Sequence, residues 1–163
     1  MIKVKLPILE DDVVRCVPFE NSGDEEYLTN LVVKSKYTKI NKRIIEDIYA
    51  KGSGYFWSIY DKASKRKGGV VYFTYLHDKI WLHAYKDDKL AKKLNSKGDY
   101  SYKAAKLLID FISNNIESEI WTTHPLVNRG ATLVCRRLGL KCINNVDTPY
   151  GKYIVMRRNK DGS

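Results

Sequence analysis

The chain has 163 residues, of which 44% are hydrophobic and 29% charged, and this composition is typical of one globular domain rather than of a disordered segment. No apolar run approaches the roughly 20 residues of a membrane span, so we do not expect a membrane protein. The formal net charge is +10, which either attracts anions such as a phosphorylated cofactor, nucleic acid or an acidic protein, or simply reflects a lysine-rich solvated surface.

The first third of the chain predicts one strand followed by two helices. The strand covers Val13 to Phe19. Ser22, followed three residues later by Glu25, has the spacing of a capping box, and apolar residues then recur at helical spacing. We therefore predict a helix over about Asp24 to Ser35. A second short helix is predicted from Asn41 until a glycine ends it at Gly52.

The middle of the chain predicts an antiparallel meander followed by a helix. Three short segments rich in aromatic and β-branched residues are Tyr55–Tyr60, Gly69–Tyr75 and Ile80–Tyr85. A polar, lysine-rich stretch, Lys86 to Asp99, comes next. Beyond it, apolar residues with a helical period predict a helix over Ser101 to Asn114.

The end of the chain predicts a strand, a helix and a final hairpin. The strand is Glu119–Thr123, the helix is Asn128–Leu138, and the last two strands lie around Leu140–Val146 and Tyr150–Arg157. The element order is β-α-α-β-β-β-α-β-α-β-β. We expect a single domain over residues 1–163, of mixed α/β class, with a mostly antiparallel sheet of about seven strands and helices on both faces.

The segment from Asn128 to Leu140 carries a family resemblance. It reads Asn-Arg-Gly-Ala-Thr-Leu-Val-Cys-Arg-Arg-Leu-Gly-Leu. This resembles the second conserved segment of the GNAT superfamily of acetyl-CoA-dependent N-acetyltransferases, an Asn-x-x-Ala helix ending in a basic residue, one spacer and a Gly-hydrophobic pair. The order of elements resembles the same family over most of the chain. The resemblance implies that Asn128 hydrogen-bonds acetyl-CoA, although asparagine is also a preferred helix N-cap.

The other family signature, a glycine-rich loop before the third family helix, is altered here. In the family those glycines bring backbone amides close to the cofactor pyrophosphate at a helix N-terminus. The corresponding stretch, Ser96 to Ala105, keeps only Gly98 and a small alanine as equivalents. This departure resembles divergent, phage-encoded members of the superfamily, some with structural or host-directed roles. The cofactor site that the resemblance implies consists of Lys97, Gly98, Ser101, Lys103, Ala104 and Asn128, with backbone amides near Ala84 or Tyr85.

Three side chains are candidates for proton transfer. His83 and His124 lie on the fourth and fifth strands of the family topology, where the two strands part, and we expect both to face one cleft as candidate bases. Cys135 stands where the family often places a tyrosine acid, seven residues after the asparagine. For each residue a structural role is the alternative, and for Cys135 the core is favoured. By the same resemblance, the backbone amide near Ala84 or Tyr85 would bind the oxyanion that forms when the amine attacks the thioester.

Two functions remain open from the sequence. The first is an acetyl-CoA-dependent N-acetyltransferase acting on an amine of a protein or small molecule, with Asp24, Glu25, Glu26 and Glu46 along the acceptor wall. The second is an inactive GNAT-like module that binds a protein or nucleic acid, although no nucleic-acid motif accompanies the charge. Three cysteines without C-x-x-C spacing favour reduced thiols, no metal site and a cytoplasmic location.

Overall fold

One twisted sheet, with helices on both faces, is formed by residues 5–34, 54–87, 100–116 and 118–162, which the computed structural model describes. The strands are β1 (Leu9–Glu10), β2 (Val14–Pro18), β3 (Gly54–Asp61), β4 (Lys67–Leu76), β5 (Lys79–Lys86), β6 (Ile120–Pro125), β7 (Lys141–Thr148) and β8 (Gly151–Arg158). The helices are α1 (Ser22–Lys34), α2 (Tyr100–Asn115) and α3 (Arg129–Arg137). Across the sheet the strands follow the order β1-β2-β3-β4-β5-β6-β8-β7, and only the β5–β6 pair is parallel.

The predicted fold class is confirmed, with one strand more than expected. The β3–β4–β5 meander, α2 and the final hairpin lie where the sequence pattern places them. The additional strand is β1, which pairs with β2 through two residues and is too short to produce a periodic pattern. The helix predicted from Asn41 to Gly52 lies outside the described residues, as do residues 88–99 of the lysine-rich stretch.

Strand alternation divides the apolar residues between two cores, one on each face of the sheet. On one face, α2 covers the larger core, which includes Trp57, Ile59, Val71, Phe73, Leu108, Ile112, Ile154 and Met156. On the other face, α1 covers a smaller core of Leu28, Val32, Phe56, Val70 and Tyr72. No helix in the described ranges is long and apolar enough to cross a membrane.

The start of α1 is capped one residue earlier than the sequence pattern predicts. The Asn21 side-chain oxygen accepts a hydrogen bond from Gly23 N at 2.9 Å, and Asp24 Oδ2 accepts one from Glu20 N at 2.8 Å. Asn21 and Asp24 therefore accept the bonds from free amides at the helix start that were predicted for Ser22 and Glu25, and that prediction was wrong in register. Asparagine caps a helix as well as serine does, so a helix that begins after Asn21 and one that begins after Ser22 are close in free energy.

A row of stacked rings crosses the α1 face of the sheet. Phe19, just after β2, stacks on Phe56 with ring centroids 5.2 Å apart, and Phe56 stacks on Tyr72 at 4.7 Å. Tyr72 in turn stacks on His83 at 4.7 Å. Such offset stacks contribute about 0.5–1.5 kcal/mol per pair beyond area burial. The row ends at the β5 edge, so packing fixes the imidazole of His83 at that edge.

Candidate active site

The sheet splits between β5 and β6. The two parallel strands pair only at Ile80–Ile120 and Trp81–Trp121, and no further pairing joins them within the described part of the chain. One residue later the Thr122 hydroxyl donates to the carbonyl of Leu82 at 3.0 Å, in place of a backbone donor. Beyond that bond the carboxyl ends of the strands diverge and leave a slot between their edges.

The backbone of β5 turns the amides of alternate residues toward this slot. The Leu82 carbonyl points toward β6, because Thr122 binds it, and Asp87 N points toward β4, because it donates to Gly68 O at 2.8 Å. Successive residues of a strand direct their backbone groups to alternate edges. The amide of Ala84 therefore faces the slot, while that of Tyr85 faces β4. The amides of Ala84 and Tyr85 were both predicted from the sequence as candidates for binding the oxyanion. Of these two, only the amide of Ala84 faces the slot.

The two candidate histidines lie on opposite faces of the sheet. His83 stacks on Tyr72, which belongs to the α1 core. His124 is paired with Ile154, which belongs to the α2 core. The expectation that both imidazoles face one side of a cleft is therefore corrected. They lie on the two strands that bound the slot, but they can be reached only from different sides.

His83 is partly exposed but packed closely among aromatic rings. Desolvation by this packing lowers the pKa of its imidazole from 6.5 to about 4. The ring is therefore neutral at pH 7 and can accept a hydrogen bond. A base with so low a pKa does not hold a proton at neutral pH, so it can orient an amine and pass a proton on to water.

His124 is joined to the first turn of α3. Its Nε2 lies 2.9 Å from Thr132 Oγ1, and burial lowers the pKa of the imidazole. Asn128 caps the same helix, because its side-chain oxygen accepts from Ala131 N at 3.1 Å. The N-cap interpretation of Asn128 is thus observed. Its amide N–H₂ group is a donor at the carboxyl end of β6, where a ligand in the slot would pass.

Cys135 packs against the α2 core rather than toward solvent. Burial raises the pKa of its thiol to about 11. A thiol with that pKa is a poor proton donor near neutral pH, and the environment agrees with the core interpretation. No group of three histidine, cysteine or acidic side chains in the described ranges is arranged to hold a metal ion.

The two tyrosines at the start of α2 pack in different directions, one against β3 and β4 and the other across to α3. The Tyr100 hydroxyl lies 3.4 Å from the carbonyl of Ile59 on β3, and its ring passes directly beside Gly68 on β4. A side chain larger than hydrogen at Gly68 would collide with this ring. Tyr100 therefore points away from β6. Tyr102 packs instead under the guanidinium of Arg137 at 4.1 Å, so this pair bridges α2 and α3.

The remaining cofactor candidates on α2 are divided between its faces. Lys103 points away from α3 and forms an ion pair of 3.4 Å with Asp12. Ala104 is fully buried in the core, and Ser101 is half-buried in the first turn. Lys97 and Gly98 lie outside the described residues. A direct contact of Lys103 with a phosphate therefore requires its present ion pair to open.

Asp24, expected along the acceptor wall, is engaged within the fold. Its Oδ1 lies 2.6 Å from the ammonium of Lys67 and accepts from the Ser58 hydroxyl at 3.3 Å. The Lys67 ammonium also lies 4.4 Å from the ring centre of Tyr27. Burial acts to raise the pKa of Asp24, but its hydrogen bond from Glu20 N and the Lys67 ammonium outweigh burial and lower it. Asp24 is therefore a structural carboxylate and not a binding group for an amine.

The lowered pKa of His83 predicts a dependence of stability on pH. Between pH 6.5 and about 4 the unfolded chain binds a proton at His83 that the folded chain does not, so stability falls as pH falls through this window. We expect His83→Gln to show a shallower loss of Tm between pH 6.5 and 4 than the unchanged protein. His77→Asn, in the exposed turn between β4 and β5, is the control and should retain the full slope. Equal slopes for all three proteins would contradict the lowered pKa of His83.

The fold is shared with solved acetyltransferase structures. A ribosomal-protein-S5-alanine acetyltransferase from Vibrio fischeri has a TM-score of 0.73 at 11% identity, covering 95% of this chain and 97% of its own. RimL, a ribosomal L7/L12 α-N-protein acetyltransferase in complex with coenzyme A, has a TM-score of 0.72 at 11% identity over 96% and 100%. A GCN5-related N-acetyltransferase from Brucella melitensis has a TM-score of 0.69 at 13% identity over 99% and 82%.

These similarities establish that the chain has the GNAT fold. No family model matches the sequence, and no curated protein is similar enough in sequence to match it. The predicted resemblance to GNAT architecture is therefore confirmed in structure, and nothing among these neighbours supports the resemblance to phage-encoded members.

The contacts that hold the site together were not visible in the sequence. Thr122, which closes the last bond between β5 and β6, and Thr132, which binds His124, are single threonines without a motif. Tyr72, which fixes His83, is one of twelve tyrosines. A signal for them would have required the strand register, because only the register reveals which residues are neighbours.

Proposed function

We propose that the protein transfers an acetyl group from acetyl-CoA to an amine. The observation that carries this proposal is the slot between β5 and β6, with the amide of Ala84 directed into it. An open amide on a rigid strand is suited to bind the oxyanion that forms when an amine attacks a thioester carbonyl. The slot also connects the two faces of the sheet, so donor and acceptor can meet from opposite sides.

The roles of the residues follow from the face on which each lies. Acetyl-CoA would enter from the side of α2 and α3, where Asn128 offers its amide group. The acceptor amine would enter from the α1 side, where the neutral ring of His83 accepts a hydrogen bond from it and relays its proton to water. The carbon–nitrogen bond forms first and gives the oxyanion, and the carbon–sulfur bond breaks when this intermediate collapses and releases the thiolate of CoA. A thiolate whose conjugate thiol has a pKa of about 8.5 is a good leaving group, so the reaction does not depend on Cys135 as an acid.

We propose a protein α-amine as the acceptor. Two of the similar structures are named for acetylation of ribosomal proteins, one of them as an α-N-protein acetyltransferase. On this chain, the α1 side of the slot is bordered by the half-buried His83 on β5, with the half-buried Trp81 and Trp121 on the same face of the paired strands beyond it. An extended chain end is suited to such a surface.

Acetyl-CoA binding is the first test of the proposed function. Because a ligand that binds only the folded state stabilises it, a concentration one hundred times the Kd adds about 2.7 kcal/mol. For a domain of this size we expect Tm to rise by about 5–10 °C. Release of CoA with a mixture of N-terminal peptides then measures turnover. An unchanged Tm at millimolar acetyl-CoA would refute the transferase.

The second candidate is a GNAT-like module that binds without turnover. It is favoured by Cys135, whose half-buried thiol with a raised pKa stands in place of the family acid. This candidate predicts acetyl-CoA binding without acetyl transfer, or no acetyl-CoA binding at all. If nucleic acid is the partner, affinity must fall steeply with salt, with a logarithmic slope of about −0.9 for each phosphate neutralised on duplex DNA.

A further inference from the structure

A straight row of side chains crosses the α1 face at the closed end of the slot. Thr74 on β4 is paired with Trp81 on β5, Trp81 with Trp121 on β6, and Trp121 with Arg157 on β8. Paired residues on neighbouring strands project from the same face of a sheet. We name these four residues, together with Lys79, the donor row. Lys79 belongs to it because its ammonium lies 4.4 Å from the ring centre of Trp121.

Two polar atoms of the donor row are buried without a partner. They are Thr74 Oγ1 and Trp121 Nε1, and among the described residues they are the two buried side-chain atoms that make no hydrogen bond. Thr74 is only 1% exposed. A buried donor without a partner costs about 1–3 kcal/mol. Thr74 and Trp121 lie on the same face, two strands apart in one row, so the fold itself leaves polar groups unpaired in this part of the sheet.

The charged members of the donor row are also without acidic partners. The Arg157 guanidinium lies 5.5 Å from the Trp121 ring, and no carboxylate of the described chain forms an ion pair with it or with Lys79. Glu119, just before β6, is the carboxylate next to Lys79 along the paired strands, and it too forms no ion pair. The row thus holds an ammonium, a guanidinium, two indole N–H groups and a hydroxyl, all of which can donate. The ammonium of the exposed Lys79 and the guanidinium of the half-buried Arg157 are the charged donors on its surface.

We propose that the donor row binds a carboxylate of the acceptor, so that the preferred acceptor is an acidic polypeptide end. This inference rests on the proposed function, because it concerns the acceptor side of the same slot. His83 lies two residues beyond Trp81 on the same face, and Ala84 lies three beyond it. At about 3.3 Å per residue these positions are roughly 7–10 Å away. That distance corresponds to two or three residues of extended peptide.

The geometry therefore specifies a peptide with its α-amine at the slot and an aspartate or glutamate at its second or third position. The net charge of +10 would attract such an acceptor over longer range. Carboxylates are favoured over neutral amides because a hydrogen bond to a charged group is stronger than one between neutral groups.

The test compares matched peptides. One set carries Asp or Glu at position two or three, and the other carries Asn or Gln there and is otherwise identical. We expect kcat/KM for acetyl transfer to be about tenfold higher for the acidic set, mainly through KM, and Arg157→Gln and Lys79→Gln to reduce this ratio toward one. Arg66→Gln, an exposed change of equal charge in the turn between β3 and β4, should retain the full ratio.

A binding measurement keeps the inference testable without turnover. Trp81 and Trp121 lie in the donor row, so the acidic peptide should change the intrinsic fluorescence at concentrations about tenfold lower than its amide counterpart, in the presence of CoA. This preference should be lost in Arg157→Gln and retained in Arg66→Gln. Acetyl transfer with equal rates for both peptide sets would overturn the donor row and leave the transferase intact. Absence of acetyl-CoA binding would refute the transferase, and equal fluorescence titrations would overturn the donor row as well.

Discussion

Ala84→Pro is expected to lower kcat for acetyl transfer by about 10²–10³-fold, because removing one oxyanion donor has an effect of that size. The Ala84 amide faces the slot, so its loss removes no hydrogen bond to β4. Proline is tolerated at strand positions whose N–H points away from the ladder. We therefore expect the folded structure to persist with a modest loss of Tm. The measurement is the rate of CoA release at saturating acetyl-CoA and peptide.

Ala84→Val is the matched control for this experiment. Valine keeps the backbone amide and suits a strand, so kcat should stay within a few-fold of the unchanged protein. Acetyl-CoA should still raise the Tm of Ala84→Pro, since binding and oxyanion stabilisation are separate contributions. If Ala84→Pro retains nearly full kcat, the amide of Ala84 does not stabilise the oxyanion and the assignment of the site is wrong.

Asp24→Ala should produce the largest loss of stability among single changes at exposed or half-buried acidic residues. It removes the carboxylate that binds Lys67 at 2.6 Å and accepts from Glu20 N at the start of α1. The side chains of Lys67 and Asp24 are only 20% and 15% exposed, so the lysine would be left largely desolvated without its partner. Breaking such a pair costs about 2–3 kcal/mol after allowance for partial exposure, or roughly 4–12 °C in Tm.

Asp12→Ala provides the comparison for that change. Asp12 also forms an ion pair, with Lys103 at 3.4 Å, but its side chain is 83% exposed. An exposed pair contributes at most about 1 kcal/mol. Denaturation curves of both variants at pH 7 measure the difference. Because the pKa of Asp24 is lowered in the folded state, its contribution should be present above pH 3.8 and disappear on further acidification. Equal losses for the two variants would contradict the structural role of Asp24.

The sequence predicted those elements whose pattern is local. Aromatic and β-branched runs defined β3, β4 and β5, and helical periodicity defined α2, because each pattern lies within one segment. The Asn128 segment predicted α3 together with its cap, since the asparagine bonds to an amide only three residues away. These features require no knowledge of the rest of the chain.

The geometry of the site depends on register, which the sequence does not specify between distant strands. Ile80 is paired with Ile120, so His83 lies three residues beyond that pair and His124 lies four. An odd and an even offset place the two side chains on opposite faces. A register shifted by one residue would have placed both on one face. The same reasoning applies to Lys103, whose partner Asp12 lies 91 residues away.

The brief contact between β5 and β6 also determines how the sheet opens. In the described part of the chain, two paired residues and the bond from the Thr122 hydroxyl join the five strands β1–β5 to the three strands β6–β8. Each side has its own continuous antiparallel ladder, so we expect the backbone of β6 and β8 to exchange hydrogen with deuterium as a cooperative unit separate from β3 and β4. A ligand that bonds to Ala84 on one edge and Asn128 beyond the other would join the two units and slow that exchange.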